Sequence, residues 1–287
     1  MKKKLLLFLV LVGISSLVYS QSDTTWKKGG KVAINFTQVS FSNWAAGGEN
    51  SFGGNGLLNL FANYKEGKRI WDSNLDLAYG LVKIGDQTLR KSDDKIDFLT
   101  KYGYEIADKL YFSTNFNFKT QFSDGYNYPN DSVILSTFLS PAYVQLGVGI
   151  DYKPTDYFSL SFLPFTGKLT IVMDQALSDS GAYGVDRGEH IRFELGAAVI
   201  AMFQKEIMKN VEFKSKLQLF SNYLENTENI DVDWDSMLSL KVNKYISSFV
   251  GVTLMYDDDI NITDENGFSG PRTQWKQTFG VGFAMDF

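Results

Sequence analysis

The residues most capable of chemistry gather in "SDSGAYGVDRGEH", residues 178–190. His190 is the only histidine of the chain, and Ser178, Ser180 and Asp186 precede it closely. A hydroxyl, an imidazole and a carboxylate are the parts of a hydrolase, in which the ring takes the serine proton and the acid orients the ring. Their spacing matches no nucleophile motif, and a solvated histidine at a loop end is the simpler reading. A second cluster, "DDDINITDENG" at 257–267, offers oxygen ligands of the kind calcium takes. It fails the helical calcium-loop pattern, because Ile262 stands where glycine is needed if Asp257 opens the loop. We read it as a hydrated acidic loop and expect no metal, no cofactor and no enzyme activity.

A third set is larger and more regular. Asp72, Asp76, Asp97, Lys101, Glu105, Lys119, Asp151, Arg192, Glu194, Lys214, Lys216, Asp233, Asp235, Lys241 and Lys276 alternate with apolar neighbours. Side chains at every second residue of a strand share a face, so these charges are expected on one side of a sheet. The opposite face is apolar: Leu58, Leu60, Ala62 and Tyr64 against Asn59 and Asn63, or Phe112, Phe116 and Phe118 against Asn115, Asn117 and Lys119. The pattern recurs about twelve times. Only the run 157–173 breaks it, with Pro164 and Gly167, where a β-bulge is expected.

Connections between the runs alternate in length. "YKEGKR", "ADKL", "KPTDY", "KEIMKN" and "NKYI" are tight, whereas 42–50, 85–95, 123–141, 174–189 and 257–271 are longer and more polar. Aromatics on the apolar parity collect near the tight turns (Tyr64, Trp71, Tyr104, Phe112, Phe203, Phe213) and again near the long loops (Phe98, Phe122, Phe193, Trp234, Trp275). Two aromatic belts on the apolar face are what rings do at membrane interfaces. In hydrocarbon every backbone amide must bond within the protein, so such strands survive only in a closed ring. The expected fold is therefore an all-β, closed antiparallel transmembrane β-barrel of about twelve strands, with the charged set lining its lumen.

The ends fit this address. Residues 1–20, "MKKKLLLFLVLVGISSLVYS", have the basic start, short apolar run and small residues of a secretory signal peptide, leaving 21–287 as one barrel domain. Without them the chain carries 25 basic against 33 acidic side chains, which is unsuited to nucleic acid. The absence of cysteine excludes disulfides and thiolate metal sites. The final run places Phe279, Val281, Phe283, Met285 and Phe287 on one face, as a closing strand would.

Signal, barrel and terminal aromatic strand together resemble bacterial outer-membrane proteins, and "GFAMDF" is similar to the signal read by the barrel-assembly machinery. The pieces "W-x-x-G-G" at Trp26, Gly29 and Gly30, "N-F-T-Q-x-x-F" and "N-W-A-x-G-G-x-N-S" from Asn43 to Ser51 are more particular. They resemble the opening of a Bacteroidota outer-membrane barrel family catalogued as a domain of unknown function. The resemblance implies the outer membrane and the assembly machinery; the even strand count puts both mature ends on the periplasmic side, and lipid and lipopolysaccharide are the expected surroundings. The resemblance brings no catalytic residues. The expected role is a small pore or transport channel with a mixed-charge lumen. The alternatives are an accessory barrel that binds another envelope protein, or, further off, a phospholipase-like hydrolase using His190.

Overall fold

Alternation of apolar and polar residues gives each strand one face for lipid and one for the lumen, and the strands close on themselves accordingly. The computed structural model describes residues 25–40, 49–128, 130–263 and 268–287. Twelve strands form one closed antiparallel barrel. They are β1 (Trp26–Val39), β2 (Ser51–Glu66), β3 (Arg69–Ile84) and β4 (Arg90–Ala107). Then come β5 (Leu110–Thr120), β6 (Ala142–Thr155), β7 (Phe158–Ile171) and β8 (Ile191–Met208). The last four are β9 (Val211–Asn222), β10 (Asp231–Lys241), β11 (Ile246–Tyr256) and β12 (Gln274–Asp286). Each pairs with its neighbours in sequence, and β12 returns to β1. Residues 1–20, expected to be a signal peptide, and most of "NWAAGGENS" lie outside the described residues.

The outward face is the apolar one. Phe112, Leu146, Phe162, Phe193, Phe279 and Phe283 are all at least half exposed, which suits side chains whose solvent is lipid. Near the tight turns the outward aromatics touch: Trp26 lies 5.1 Å from Tyr64 and 6.0 Å from Trp71, and Phe203 lies 6.0 Å from Phe213. No helix among the described residues is long and apolar enough to cross a membrane, and the crossing is made by strands.

One boundary differs markedly from the sequence reading. Residues 90–95, expected in a long loop, are the start of β4, so the β3–β4 connection shrinks to 85–89. A register shift opposite Gly80 and Leu81 lets β4 continue through "RKSDD", whose polarity hides the strand. The bulge expected in β7 falls at Pro164–Phe165. Leu163 pairs inward with Ala198, Phe165 is 72% exposed, and Thr166 is inward again opposite Gly196. The extra residue switches parity, so inward positions are odd before the bulge and even after it.

At the long-loop end the connections 121–141 and 172–190 pack together. Helix α1 (Gln175–Ser180) is capped by Asp174, whose carboxylate accepts from Leu177 N at 3.0 Å, and it ends at Gly181 in the left-handed region. Leu177 buries with Val172 and Val185, and the Tyr183 hydroxyl donates to Leu135 O at 2.6 Å. Burial pushes the Tyr183 phenol up to about 12, so it stays a neutral donor.

The β1–β12 seam is the shortest in the barrel. Its ladder holds five residue pairs, Lys31↔Asp286 to Asn35↔Gly282, extended at the tight-turn end by mutual Gly30 and Phe287 backbone bonds. By contrast β1 pairs with β2 over its full length, Trp26 to Val39.

Candidate functional site

The candidate site is the lumen, and its geometry is set by lysines long enough to cross it. Three ammonium groups approach Asp97: Lys216 at 3.1 Å, Lys119 at 3.8 Å and Lys95 at 3.9 Å. Asp97 is 3% exposed and also accepts from Asn117 Nδ2 at 2.7 Å. Lys95 continues to Asp235 at 2.5 Å, Lys119 bonds Asp233, and Thr253 donates to Asp235 at 2.7 Å. These links join β4 and β5 to β9 and β10, on opposite sides of a twelve-membered ring. Lys214 of β9 likewise reaches Asp76 of β3 at 3.2 Å. Side chains of this length meet only where facing walls are close, so the lumen is narrow at this layer. Gln145 and Gln218 bond each other beside it.

Around this layer the remaining charges pair more locally. Lys101 bonds Asp151, which is fully buried and also accepts from Ser161 at 2.6 Å. Lys153 holds Asp72 at 2.7 Å, and Arg192 lies 3.7 Å from Glu194 and 2.6 Å from Asp259. Lys168 sits within 3.3 Å of Glu194 and of Asp257, and at 2.7 Å from Asp231. Lys276 of β12 reaches Asp93 of β4 at 2.8 Å, passing behind β1, β2 and β3. At the tight-turn rim Lys241 bonds Asp286, and Glu105 is half-buried near the β4–β5 turn. The network matters because a buried charge that loses its partner is costly.

The charged set expected on one face thus divides into a crossing layer, flanking pairs and a rim. Lys95, Lys168, Asp93 and Asp231 were missed. Lys95 and Asp93 fell in the stretch read as loop. Lys168 lies just past the β7 bulge, where unshifted parity puts it outside, and Asp231 opens its strand one residue earlier than expected. The signal for Lys168 was in the sequence, since Pro164 marks the bulge.

Inward apolar residues also shape the lumen. Leu163, Ala198, Ile200 and Phe220 form a buried cluster on the β7–β9 wall. Of the free space, the middle part is lined mostly from β10–β12 and β1–β3, and the parts above and below it largely from β4–β9. A middle cavity of about 180 Å³ is lined by Leu57, Leu99, Met202, Met237 and Phe249, with lysines and aspartates around them. A second cavity of about 280 Å³ lies nearer the long loops and shares Lys95, Asp235, Thr253 and Lys276 with the first. A third, towards the tight turns, shares Asn74, Leu99 and Met202 with it.

The parts of the imagined hydrolase are engaged elsewhere. His190 Nδ1 lies 2.7 Å from Val172 O, and the fully buried Ser178 donates to Glu189 O at 2.7 Å. Both hold the loop cap together. At the acidic loop, Asp231, Asp257 and Asp258 come close enough to surround an ion, but Lys168 already fills that corner for two of them, and Asn229 bonds Asp258 at 2.6 Å. Residues 264–267 of the calcium-like stretch lie outside the described residues.

A closed ring of twelve strands with an apolar exterior and a paired, polar interior leaves one class of structure. The protein is a β-barrel of the outer-membrane kind. Residues 36–126, from the upper half of β1 to the connection after β5, match a family model described as a protein of unknown function, DUF3078. No curated protein matches the sequence. Among solved structures, an outer-membrane channel from Pseudomonas putida F1 is similar at 10% identity, covering 94% of this chain and 98% of that one, with a TM-score of 0.41. The translocator domain of the autotransporter NalP from Neisseria meningitidis has 9% identity, 98% and 95% coverage and a TM-score of 0.37. The P. putida toluene transporter TodX has 9% identity, 93% and 91% coverage and a TM-score of 0.28. These are similarities of fold alone.

Proposed function

We propose that this barrel is a narrow outer-membrane channel for small polar solutes, restricted by the lysine–aspartate layer across its middle. The observation that carries this reading is the run of three lumenal cavities, each sharing wall residues with the next. Mixed charge at the narrow layer suits weak ion selectivity, because neither sign forms a ring. In this reading the long loops face outwards, the tight turns face the periplasm, and an exported chain is inserted through its terminal aromatic strand, Phe279 to Phe287. The opening residues Trp26 to Ser51 are the basis for placing the chain among Bacteroidota barrels.

Planar-bilayer recording tests the reading. The folded protein is expected to give small steps, and the double substitution Lys119→Ser with Asp233→Ser, which removes one crossing pair without leaving an orphan charge, is expected to give larger ones. If neither protein conducts while both show the heat-modifiable mobility of a folded barrel, the channel reading is wrong.

A further inference from the structure

The β1–β12 seam raises a question the axial channel does not answer. Its ladder stops at Asn35↔Gly282, although β1 continues to Val39 and β12 begins at Gln274. Had the register continued, Phe36 would face Val281 and Thr37 would face Gly280. Neither pair belongs to the ladder. Unpaired strand edges on a lipid-facing wall are expensive, because hydrocarbon offers amides no partner. Elsewhere the barrel spares itself this cost, with ten or more paired positions along each of the neighbouring seams β1–β2 and β11–β12.

What lies behind the upper seam is equally specific. The middle cavity reaches the unpaired stretch through Lys276 and Thr278 of β12, with Phe249 of β11 beside them; its β1 wall, Lys31 and Ala33, lies lower, within the paired ladder, and Leu57, Leu99 and Met237 line it from the other strands. Gly280 has no side chain, and the Phe249 ring occupies the space a Cβ would take. Thr37, on the lumenal parity of β1, is exposed, whereas Asn35 two residues below is 2% exposed. At that last rung Asn35 Oδ1 is buried without a partner among the described residues. Beside the opening stands Lys276. Its side chain is 47% exposed, against 29% for Lys95 and 7% for Lys101, and Asp93 is its ion-pair partner among the described residues.

We propose that the upper β1–β12 seam is a lateral portal between the lumen and the surrounding leaflet, and that its ligand is a single-chain carboxylate amphiphile, a fatty acid. The alkyl chain occupies the middle cavity and extends past Leu99 and Met202 into the adjoining one towards the tight turns, where burial of each methylene is favourable. The carboxylate exchanges with Asp93 on Lys276, a charge-assisted bond at the cavity's wet margin. Entry needs no passage through the lysine–aspartate layer, since the seam opens on the lipid itself. The proposal therefore stands apart from axial conduction: a barrel that binds but does not conduct overturns the channel reading alone.

Binding of radiolabelled dodecanoate to the folded full chain in a non-ionic detergent tests it. One saturable site per barrel is expected. Met237→Trp, which fills the cavity, and Lys276→Gln, which removes the carboxylate's partner, are each expected to weaken binding about tenfold. Lys276→Gln should leave dodecanol binding unchanged, and Leu57→Trp serves in place of Met237→Trp if that variant lacks folded, heat-modifiable mobility. The chain contains no cysteine, so Phe36→Cys with Val281→Cys gives the only two thiols, and a short bismaleimide joins them across the seam. That tether is expected to slow dodecanoate release about tenfold at unchanged stoichiometry. The absence of saturable binding overturns the site, as do cavity-filled and Lys276 variants that bind like wild type. A tether without effect on release overturns the portal.

Discussion

The wall from β4 to β9 and the wall from β10 round to β3 are built of the same alternating strands, yet their interiors differ. The first carries most of the buried charges. Asp97, Lys101, Asn115, Asp151, Lys168, Glu194 and Lys216 are all buried there, beside the apolar cluster of Leu163, Ile200 and Phe220. The loops above it, 121–141 and 172–190, hydrogen-bond to each other. The second wall supplies most of the lining of the middle cavity, the half-exposed Lys276 and the short seam. The buried ion pairs and the loop contacts are therefore concentrated in one half of the ring and the middle cavity in the other, a division that suits a barrel needing both a rigid frame and a route through it.

The largest test of the comparison is Asp97→Ala. It leaves Lys95, Lys119 and Lys216 facing each other at the narrowest layer, and breaking one side of a buried ion pair typically costs about 3–5 kcal/mol. Equilibrium unfolding in urea from lipid vesicles should show a loss of that size. Replacing both partners of the Lys101–Asp151 pair, by Lys101→Met with Asp151→Leu, should by contrast cost far less than Asp151→Ala alone, because no charge is left unpaired. A double variant as unstable as the single one would mean that the first wall depends on ionic contacts as such.

A smaller effect separates two glycines. At Gly149 of β6 an added Cβ would meet the backbone of Phe162 and Leu163 beside the β7 bulge, so Gly149→Ala should destabilise by about 1–3 kcal/mol. At Gly56 of β2, on the second wall, a Cβ meets nothing within 4 Å. There Gly56→Ala should be neutral or raise stability by about 0.4–1 kcal/mol, through the unfolded chain. The same urea titration reads both, and equal losses at the two positions would show that the close approach to the β7 bulge is not what requires glycine at 149.

The frame was legible because its rule is local. Period-two alternation in runs such as Leu110–Phe118 assigns each side chain a face without reference to any distant strand. What depends on long-range geometry was not legible. Sequence gives Asp97 and Lys216 the same lumenal face, but that they meet at 3.1 Å follows from how close the two walls come. Lys168 shows a local failure with a local cause, one extra residue at Pro164–Phe165 that flips every later position of β7. Lys95 shows the opposite kind: a polar start to a strand reads as loop until its partner strand is known. The incomplete seam left a faint signal that alternation over the rest of the strands masks: Gln38 of β1 and Gln277 of β12 stand on the apolar parity, within the stretch that lacks a ladder.

The smallest expected effect lies at the rim of the second wall. Lys241 and Asp286 bond each other there, with both side chains 47% exposed. Water at the tight-turn end screens this pair and solvates each charge when the other is removed, so Asp286→Ala should cost less than about 1 kcal/mol. The pair also lies next to the lowest rung of the short ladder, Lys31↔Asp286. If the seam were held by this ion pair, the loss would instead approach that of Asp97→Ala, and the unfolding midpoint would fall steeply with added salt. A small, weakly salt-dependent change would assign closure at the tight-turn end to the backbone bonds between Gly30 and Phe287 and to the five paired residues. The upper seam would then be free to part while the lower seam keeps the ring shut.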